Sequence, residues 1–204
     1  LTDSMPGIAR AVQYALRRFG IDVQDLATLK PFLGPPLRDS FMEFYGMSPE
    51  EADRAVAVSR EYFVPRGMFE NELYPGIPEL LAATAAAGRV NVIATSKPQP
   101  FAERIAAHFG IDRHFRLISG STFDGRRKTK ADVIRHALSA LGIAPGEAVM
   151  IGDRRHDVEG AAEEGLPAIA VEWGYAPPGE LEAARPLRIV PDVETLRRLL
   201  LENE

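Results

Sequence analysis

Apolar positions along this chain change their period once, near Tyr74-Pro75-Gly76. Ahead of that point they recur at helical spacing, which predicts helices over Ile8 to Phe19, Leu26 to Phe32, Leu37 to Tyr45 and Ala52 to Phe63. Gly20, Gly34-Pro35-Pro36 and Gly46 break the pattern, and Ser48-Pro49-Glu50-Glu51 reads as a capping box with proline at the first helical position. No strand is evident in this block. Beyond it, compact apolar runs predict strands at Val90 to Ala94, Phe115 to Ser119, Ala148 to Ile151, Ala168 to Val171 and Leu187 to Val190. Helical patterns lie between them, around Glu79 to Ala87, Phe101 to Phe109, Ala131 to Leu141 and Val158 to Glu164. Gly88, Gly110, Gly142 and Gly165 stand where each helix should hand over to the next strand, a place glycine fills in the left-handed conformation. Such alternation predicts an α/β fold: a Rossmann-like parallel sheet core with an inserted α-helical cap subdomain. The cap is set at residues 5–72, and the core at residues 1–4 and 73–204. A lid of this kind suits chemistry that must exclude water.

Composition narrows the chemistry. The 204 residues carry a formal charge of −5, which gives no sign of a nucleic-acid footprint. No apolar run approaches the ~20 residues of a membrane span, and no signal peptide is visible. With no cysteine, disulfides, thiol catalysis and Cys-ligated metals are excluded, which fits a cytoplasmic protein. Four histidines, none in a His-x-x-x-His pair, argue against a zinc hydrolase.

Three polar clusters follow predicted strands. Ala148-Val149-Met150-Ile151-Gly152-Asp153-Arg154-Arg155-His156-Asp157 ends a strand in Gly-Asp and places a second aspartate where a helix begins. Open α/β sheets bind ligands at the carboxyl ends of their strands. Two carboxylates there suit Mg²⁺, which takes one or two protein carboxylates and leaves room for phosphate. A helix-capping role covers Asp157 but not Asp153. In Ala94-Thr95-Ser96-Lys97-Pro98, hydroxyls stand between a strand and a helix, placed either to hold phosphate oxygens or simply to cap that helix. Asp124-Gly125-Arg126-Arg127-Lys128-Thr129-Lys130 puts four cations in five residues ahead of a helix. Such a run is either a solvated face or, since cations oppose the dipole there, a group that meets an anion together.

Taken in order, these clusters resemble the haloacid dehalogenase superfamily of phosphohydrolases, in the branch with a helical cap between the first and second core motifs. The resemblance spans essentially the whole chain, including Tyr74-Pro75-Gly76-Ile77 at the return to the core. It implies that Thr95 binds the transferring phosphoryl group and that Asp153 and Asp157 hold Mg²⁺. It also implies that a lysine of the basic run neutralises nucleophile and phosphate; Lys130 is the first choice and Lys128 the alternative. Within the superfamily the chain looks like phosphoglycolate phosphatases, and closer still to 5′-nucleotidase-like relatives. Asp124-Gly125-Arg126-Arg127, Lys130-Ala131-Asp132-Val133-Ile134 and Gly152-Asp153-Arg154-Arg155-His156-Asp157 carry that closer likeness.

The family's first motif has the form Asp-x-Asp-Gly-Thr-Leu-x-Asp-Ser, and Leu1-Thr2-Asp3-Ser4 is similar to its tail. The nucleophile, the general acid/base and their strand are therefore expected ahead of Leu1, and Asp3 is not the nucleophile. The implied reaction is Mg²⁺-dependent hydrolysis of a phosphomonoester through an aspartyl-phosphate. Phosphoglycolate and a nucleoside 5′-monophosphate are the expected substrates. Ser96, Arg127 and Arg38 are the expected substrate contacts, with Tyr45 and Arg66 as lesser candidates. Arg38, after the stiff Gly34-Pro35-Pro36 stretch, is either a clamp on the leaving group or an exposed helix-terminal residue. The expected partner is a small phosphorylated metabolite, with no nucleic acid and no membrane, for a monomer or homodimer. Two alternatives stay open: a phosphosugar mutase of the same superfamily, or a non-catalytic binding protein if the first motif is absent. A 2-haloacid dehalogenase, which needs no Mg²⁺, is disfavoured by the paired carboxylates.

Overall fold

Two contact units make up the computed structural model, Leu1–Tyr74 and a second that starts at Pro75; residues 1–202 are described. The first is helical. Helices α1 (Met5–Arg18), α2 (Leu37–Tyr45) and α3 (Pro49–Phe63) bury Val12, Leu16, Phe41, Ala52 and Ala55 with Leu29 and Phe32 from the intervening loop. Phe32 meets Phe41 edge-on at 5.1 Å, the favoured geometry for two rings of like quadrupole. The capping box at α3 forms as its sequence predicts: Glu51 N–H donates to Ser48 Oγ (3.2 Å) and Ser48 N–H to Glu51 Oε2 (2.9 Å). Leu26–Phe32 is a 3₁₀ stretch instead of the expected α-helix. Pro31 lacks the N–H that an α ladder would need there.

The first unit also holds two strands that periodicity did not predict. Thr2–Asp3 (β1) and Glu72–Leu73 (β2) pair antiparallel, Thr2 against Leu73 and Asp3 against Glu72. Two residues per strand carry no readable alternation. Beside this ribbon the backbone of α1 presses on the chain at Gly67–Glu70: Gly7 N–H donates to Glu70 O at 3.0 Å, and a Cβ on Gly7 would lie 1.8 Å from Gly67 O.

From Pro75 onward the order is α4 (Ile77–Ala86), β3 (Val92–Pro98), α5 (Gln99–His108), β4 (Leu117–Ser121), α6 (Lys130–Leu141), β5 (Met150–Gly152) and α7 (Arg155–Glu163). Then come β6 (Ala168–Val171), α8 (Glu180–Ala184), β7 (Arg188–Val190) and α9 (Val193–Leu201). All five expected strands form, and β6 has the predicted bounds. The others start one or two residues late because pairing, not hydrophobicity, opens each ladder. Val90 is exposed, and the β3–β4 register begins at Val92 against Leu117. The strands fall into two parallel sets, β3–β4 and β5–β6–β7, and no backbone ladder joins β3 to β5 among the described residues. β6, in the middle of its set, is buried throughout, whereas β5 is only half-buried. Gly142 caps α6 in the left-handed conformation (φ 64°), as its place in the sequence predicts.

Gly7→Ala should destabilise the helical unit by about 3 kcal/mol or more, since the methyl group meets backbone that cannot swing away. Urea unfolding followed by circular dichroism measures it; a loss below 1 kcal/mol, the ordinary overpacking minimum, would show that the contact relaxes.

Candidate active site

The regular part of the β3–β4 ladder ends at Thr95, paired with Gly120, and the register slips before Pro98 meets Ser121. That irregularity turns the chain into α5 and leaves Thr95, Ser96 and Lys97 on a tight bend. Thr95 Oγ1 accepts the Lys97 N–H at 3.1 Å, so the hydroxyl keeps its own proton for another acceptor. Ser96 is exposed, and its carbonyl accepts the Ser121 hydroxyl at 2.8 Å. Burial pushes the Lys97 amine down to about 8.

α6 delivers the lysine. Thr129 and Asp132 form a capping box that the sequence reading did not identify: Asp132 N–H donates to Thr129 Oγ1 (3.1 Å), and Thr129 N–H to Asp132 Oδ2 (2.9 Å). Backbone N–H groups of Thr129 and Lys128 hold the Asp132 carboxyl down at about 2. One carboxylate thus offsets the cations crowded at the helix start. Lys130, the first residue of α6, extends its amine to Asp157 Oδ1 (2.7 Å) and to Ala94 O (3.1 Å). Lys130 and Asp157 side chains are 12% and 9% exposed, so this is a nearly buried pair. Gly160 on α7 makes the approach possible, since a Cβ there would lie 2.7 Å from Lys130 Cγ. Lys128 points elsewhere: it is exposed, and its backbone N–H donates to Asp132 Oδ2 at 3.0 Å.

Asp153 and Asp157 leave the same strand and are used differently. Asp157 spends Oδ1 on Lys130 and Oδ2 on the Arg154 N–H (3.1 Å), with Gly152 so close that a Cβ would lie 2.2 Å from its carboxyl carbon. Asp153 is half-buried, and its Oδ2 accepts the Tyr175 N–H at 3.0 Å. Gly174 presses on Asp153 in the same way, at 2.2 Å for a notional Cβ. Asp153 Oδ1 has no protein partner among the described residues and remains open. A hard, open carboxylate oxygen on a rigid turn fits Mg²⁺, which needs few protein ligands. No group of three metal-binding side chains gathers among the described residues.

Arg127 closes the loop ahead of α6. Its N–H donates to Thr122 Oγ1 (3.1 Å), its carbonyl accepts the Thr122 N–H (3.0 Å), and its guanidinium donates to Gln99 Oε1 (2.5 Å). Nε of Arg127 is buried without a hydrogen-bond partner. Burial, with a smaller contribution from the Arg127 charge, lowers the His136 pKa; that ring meets Ser119 Oγ at 3.0 Å. Ala94, Lys130 and Asp157 are therefore joined through one amine, with Thr95 the next residue after Ala94 and Asp153 four residues before Asp157. Arg38 belongs to the first unit, where its Nε donates to Asp53 Oδ1 at 2.7 Å in an exposed pair. Tyr45, also in that unit, lies near the Phe32 ring, 6.0 Å between centroids. Sequence reasoning missed Arg154 and Glu180, which pair bidentately at 2.7 and 3.1 Å across 26 positions. No short-range pattern signals such a contact.

Two measurements follow from this geometry. Lys130→Met strands the Asp157 carboxylate in a buried place and should cost about 3 kcal/mol, while Lys128→Met should change stability by less than about 0.5 kcal/mol. Denaturant midpoints decide between the two lysines. For Lys97 the folded value of about 8 lies below the ordinary 10.5. Between those values the unfolded chain binds more protons, so stability rises with pH across the window. Lys97→Met should remove that part of the slope; an unchanged slope would mean that the amine is hydrated.

With the geometry in place, comparison with known proteins is direct. The family model described as haloacid dehalogenase-like hydrolase matches residues 1–171. A 5′-nucleotidase from Pseudomonas aeruginosa is 46% identical over 98% of this chain and 90% of its own length. A tyrosine-protein kinase, PtkA, from Mycobacterium tuberculosis is 43% identical over 86% of this chain, which spans 60% of that protein. A phosphoglycolate phosphatase from Yersinia pestis is 30% identical over 86% of this chain and 78% of its own length. Among solved structures, a predicted phosphatase from Clostridium acetobutylicum superposes with a TM-score of 0.95 at 45% identity, covering 100% of this chain and 94% of that one. A fold, a site and relatives that agree at this level lead to one assignment: the chain belongs to the haloacid dehalogenase-like hydrolase family, among its phosphatases.

Proposed function

We propose that the protein is a Mg²⁺-dependent phosphomonoesterase that acts on a small cytoplasmic metabolite through an aspartyl-phosphate. The observation that carries this reading is the single amine of Lys130, held between Ala94 O at 3.1 Å and Asp157 Oδ1 at 2.7 Å. A cation fixed between the end of β3 and the turn after β5 is placed to offset the charge of a phosphoryl group. Thr95 would donate its hydroxyl proton to a non-bridging phosphate oxygen, a role open to it because Oγ1 is already an acceptor for Lys97 N–H. Mg²⁺, bound through the open oxygen of Asp153, would supply Lewis-acid polarisation of the phosphate. Asp157 would act on it through Lys130 or an intervening water, since both its oxygens already have protein donors. The attacking carboxylate would be the family's first-motif aspartate.

Of the two substrate classes, the nucleoside 5′-monophosphate comes first. The relative named for that activity is 46% identical, against 30% for the phosphoglycolate phosphatase. Arg38 is the candidate reader of the leaving group, with Ser96 and Arg127 as supporting contacts near the phosphate.

The native protein should release inorganic phosphate from AMP and from p-nitrophenyl phosphate with Mg²⁺, and stop in EDTA. Asp153→Asn should weaken Mg²⁺ dependence at least tenfold with little loss of stability; an unchanged dependence returns Asp153 to a structural role. Arg38→Ala should lower kcat/KM for AMP and hardly alter it for p-nitrophenyl phosphate. Equal losses on both would assign Arg38 to general phosphate binding. Transfer of phosphate to a protein tyrosine instead of water would place the chain with its kinase-named relative.

A further inference from the structure

The turn that carries Asp153 also carries a cation that could disable it. Arg154 follows Asp153 directly, and in a poorly hydrated site a guanidinium beside a carboxylate would pair with it and compete with a divalent ion. The structure turns that side chain away. Its Nε donates to Glu180 Oε1 at 2.7 Å and an Nη to Glu180 Oε2 at 3.1 Å, with both side chains 12% exposed. Glu180 takes a third hydrogen bond, from the Arg155 N–H at 3.0 Å. Burial pushes the Glu180 carboxyl up, but the hydrogen bonds and charge of Arg154 and the Arg155 N–H bring it below its ordinary value, so it is ionised at neutral pH.

Glu180 is well placed to hold this arrangement. It opens α8, and Gly179 (φ 80°) is the residue before it. Between β6 and α8 the chain crosses to the Asp153 turn, where Tyr175 N–H donates to Asp153 Oδ2 and Gly174 packs against the same side chain. The segment thus touches the turn twice, once on Asp153 and once on Arg154. The Arg154 backbone meanwhile serves Asp157, through its N–H on Oδ2 at 3.1 Å.

We propose that Glu180 is a positioning residue that sequesters the Arg154 guanidinium and so keeps Asp153 available to Mg²⁺. This rests on the reading of Asp153 as the cation's ligand. Sequestration differs from plain structural support in one consequence: it matters only while Arg154 is cationic.

Isothermal titration of Mg²⁺ into the native protein separates the two. Glu180→Gln, which removes the carboxylate's charge from the guanidinium while preserving shape, should weaken Mg²⁺ binding about tenfold, the usual scale for groups that act on a metal ligand from behind. Adding Arg154→Met should restore affinity to within about twofold of the parent, because the competitor is gone. The double variant also leaves no unpaired buried charge, so it keeps the test usable if Glu180→Gln folds poorly. Unchanged affinity in Glu180→Gln, or a tenfold loss that persists in the double variant, overturns sequestration. Asp153→Asn is the control on the underlying reading. If it leaves Mg²⁺ affinity unchanged, the metal assignment fails and takes this proposal with it.

Discussion

A buried ion pair, Lys130 with Asp157, ties together parts of the second unit that the backbone leaves separate. The β3–β4 and β5–β6–β7 sets share no ladder among the described residues, yet one amine reaches the carbonyl of Ala94 on β3 and the carboxylate that follows β5. Removing two charges from water costs several kcal/mol each, repaid only when geometry is good and the remaining donors are satisfied. The local structure meets those terms. The Thr129–Asp132 capping box fixes where α6 starts, Gly160 admits the lysine stem, and Arg154 N–H takes the second oxygen of Asp157. Such a pair adds little net stability compared with an apolar one of equal volume. What it fixes is position, and a charge held in position before a reaction begins needs no reorganisation during it.

Asp153 shows the complementary economy. Its neighbour four residues on is saturated by protein donors, whereas Asp153 keeps one oxygen open and is steadied through the other by Tyr175. Under the proposed function two aspartates of one motif would divide the work: one positions a cation of the protein, and the other would take a cation from solution. Burial decides which does which. Asp157 is buried, where a carboxylate needs a partner, and Lys130 supplies it.

Much of this was legible in the sequence, and what was not has a physical cause. The five strands, the helices between them and the Ser48 capping box follow from periodicity and local chemistry, which one sequence displays in full. Strand starts moved because ladders open where a neighbour pairs, as at Val92 with Leu117, and pairing is not local. Pro31 was readable as a breaker, yet the apolar spacing around it outweighed it. The Thr129-Lys130-Ala131-Asp132 signature was available and was masked by the cations surrounding it. Lys130 and Lys128 could not be separated by motif alone. A helix start separates them, since two residues there mean the difference between the first turn facing the sheet and an exposed loop. Glu180 lay beyond reach: 26 positions from Arg154, in a five-residue helix, it has no spacing to betray it.

Under the proposed function, the site would handle the part of a substrate that every phosphomonoester shares. Thr95, Lys130 and Asp153 would all meet the phosphoryl group or its counter-ion, so they stabilise the transition state without choosing a leaving group. That is consistent with relatives named for a nucleotide, for phosphoglycolate and for protein tyrosine at 30–46% identity. Selectivity must come from side chains outside that set, and their present partners set what recruitment costs. Arg38 is held by Asp53 in an exposed pair, with side chains 42% and 63% accessible. Pairs of this kind contribute roughly 0–1 kcal/mol, so releasing the guanidinium to an anionic or hydroxyl-rich leaving group costs little. Arg127 differs, because its guanidinium is engaged by Gln99 and its Nε is already dehydrated. A ligand oxygen reaching that Nε would gain a hydrogen bond without a further desolvation cost. If Arg38 and Arg127 are substrate contacts, as proposed, the first would adapt at little cost and the second would reward only a ligand that reaches it.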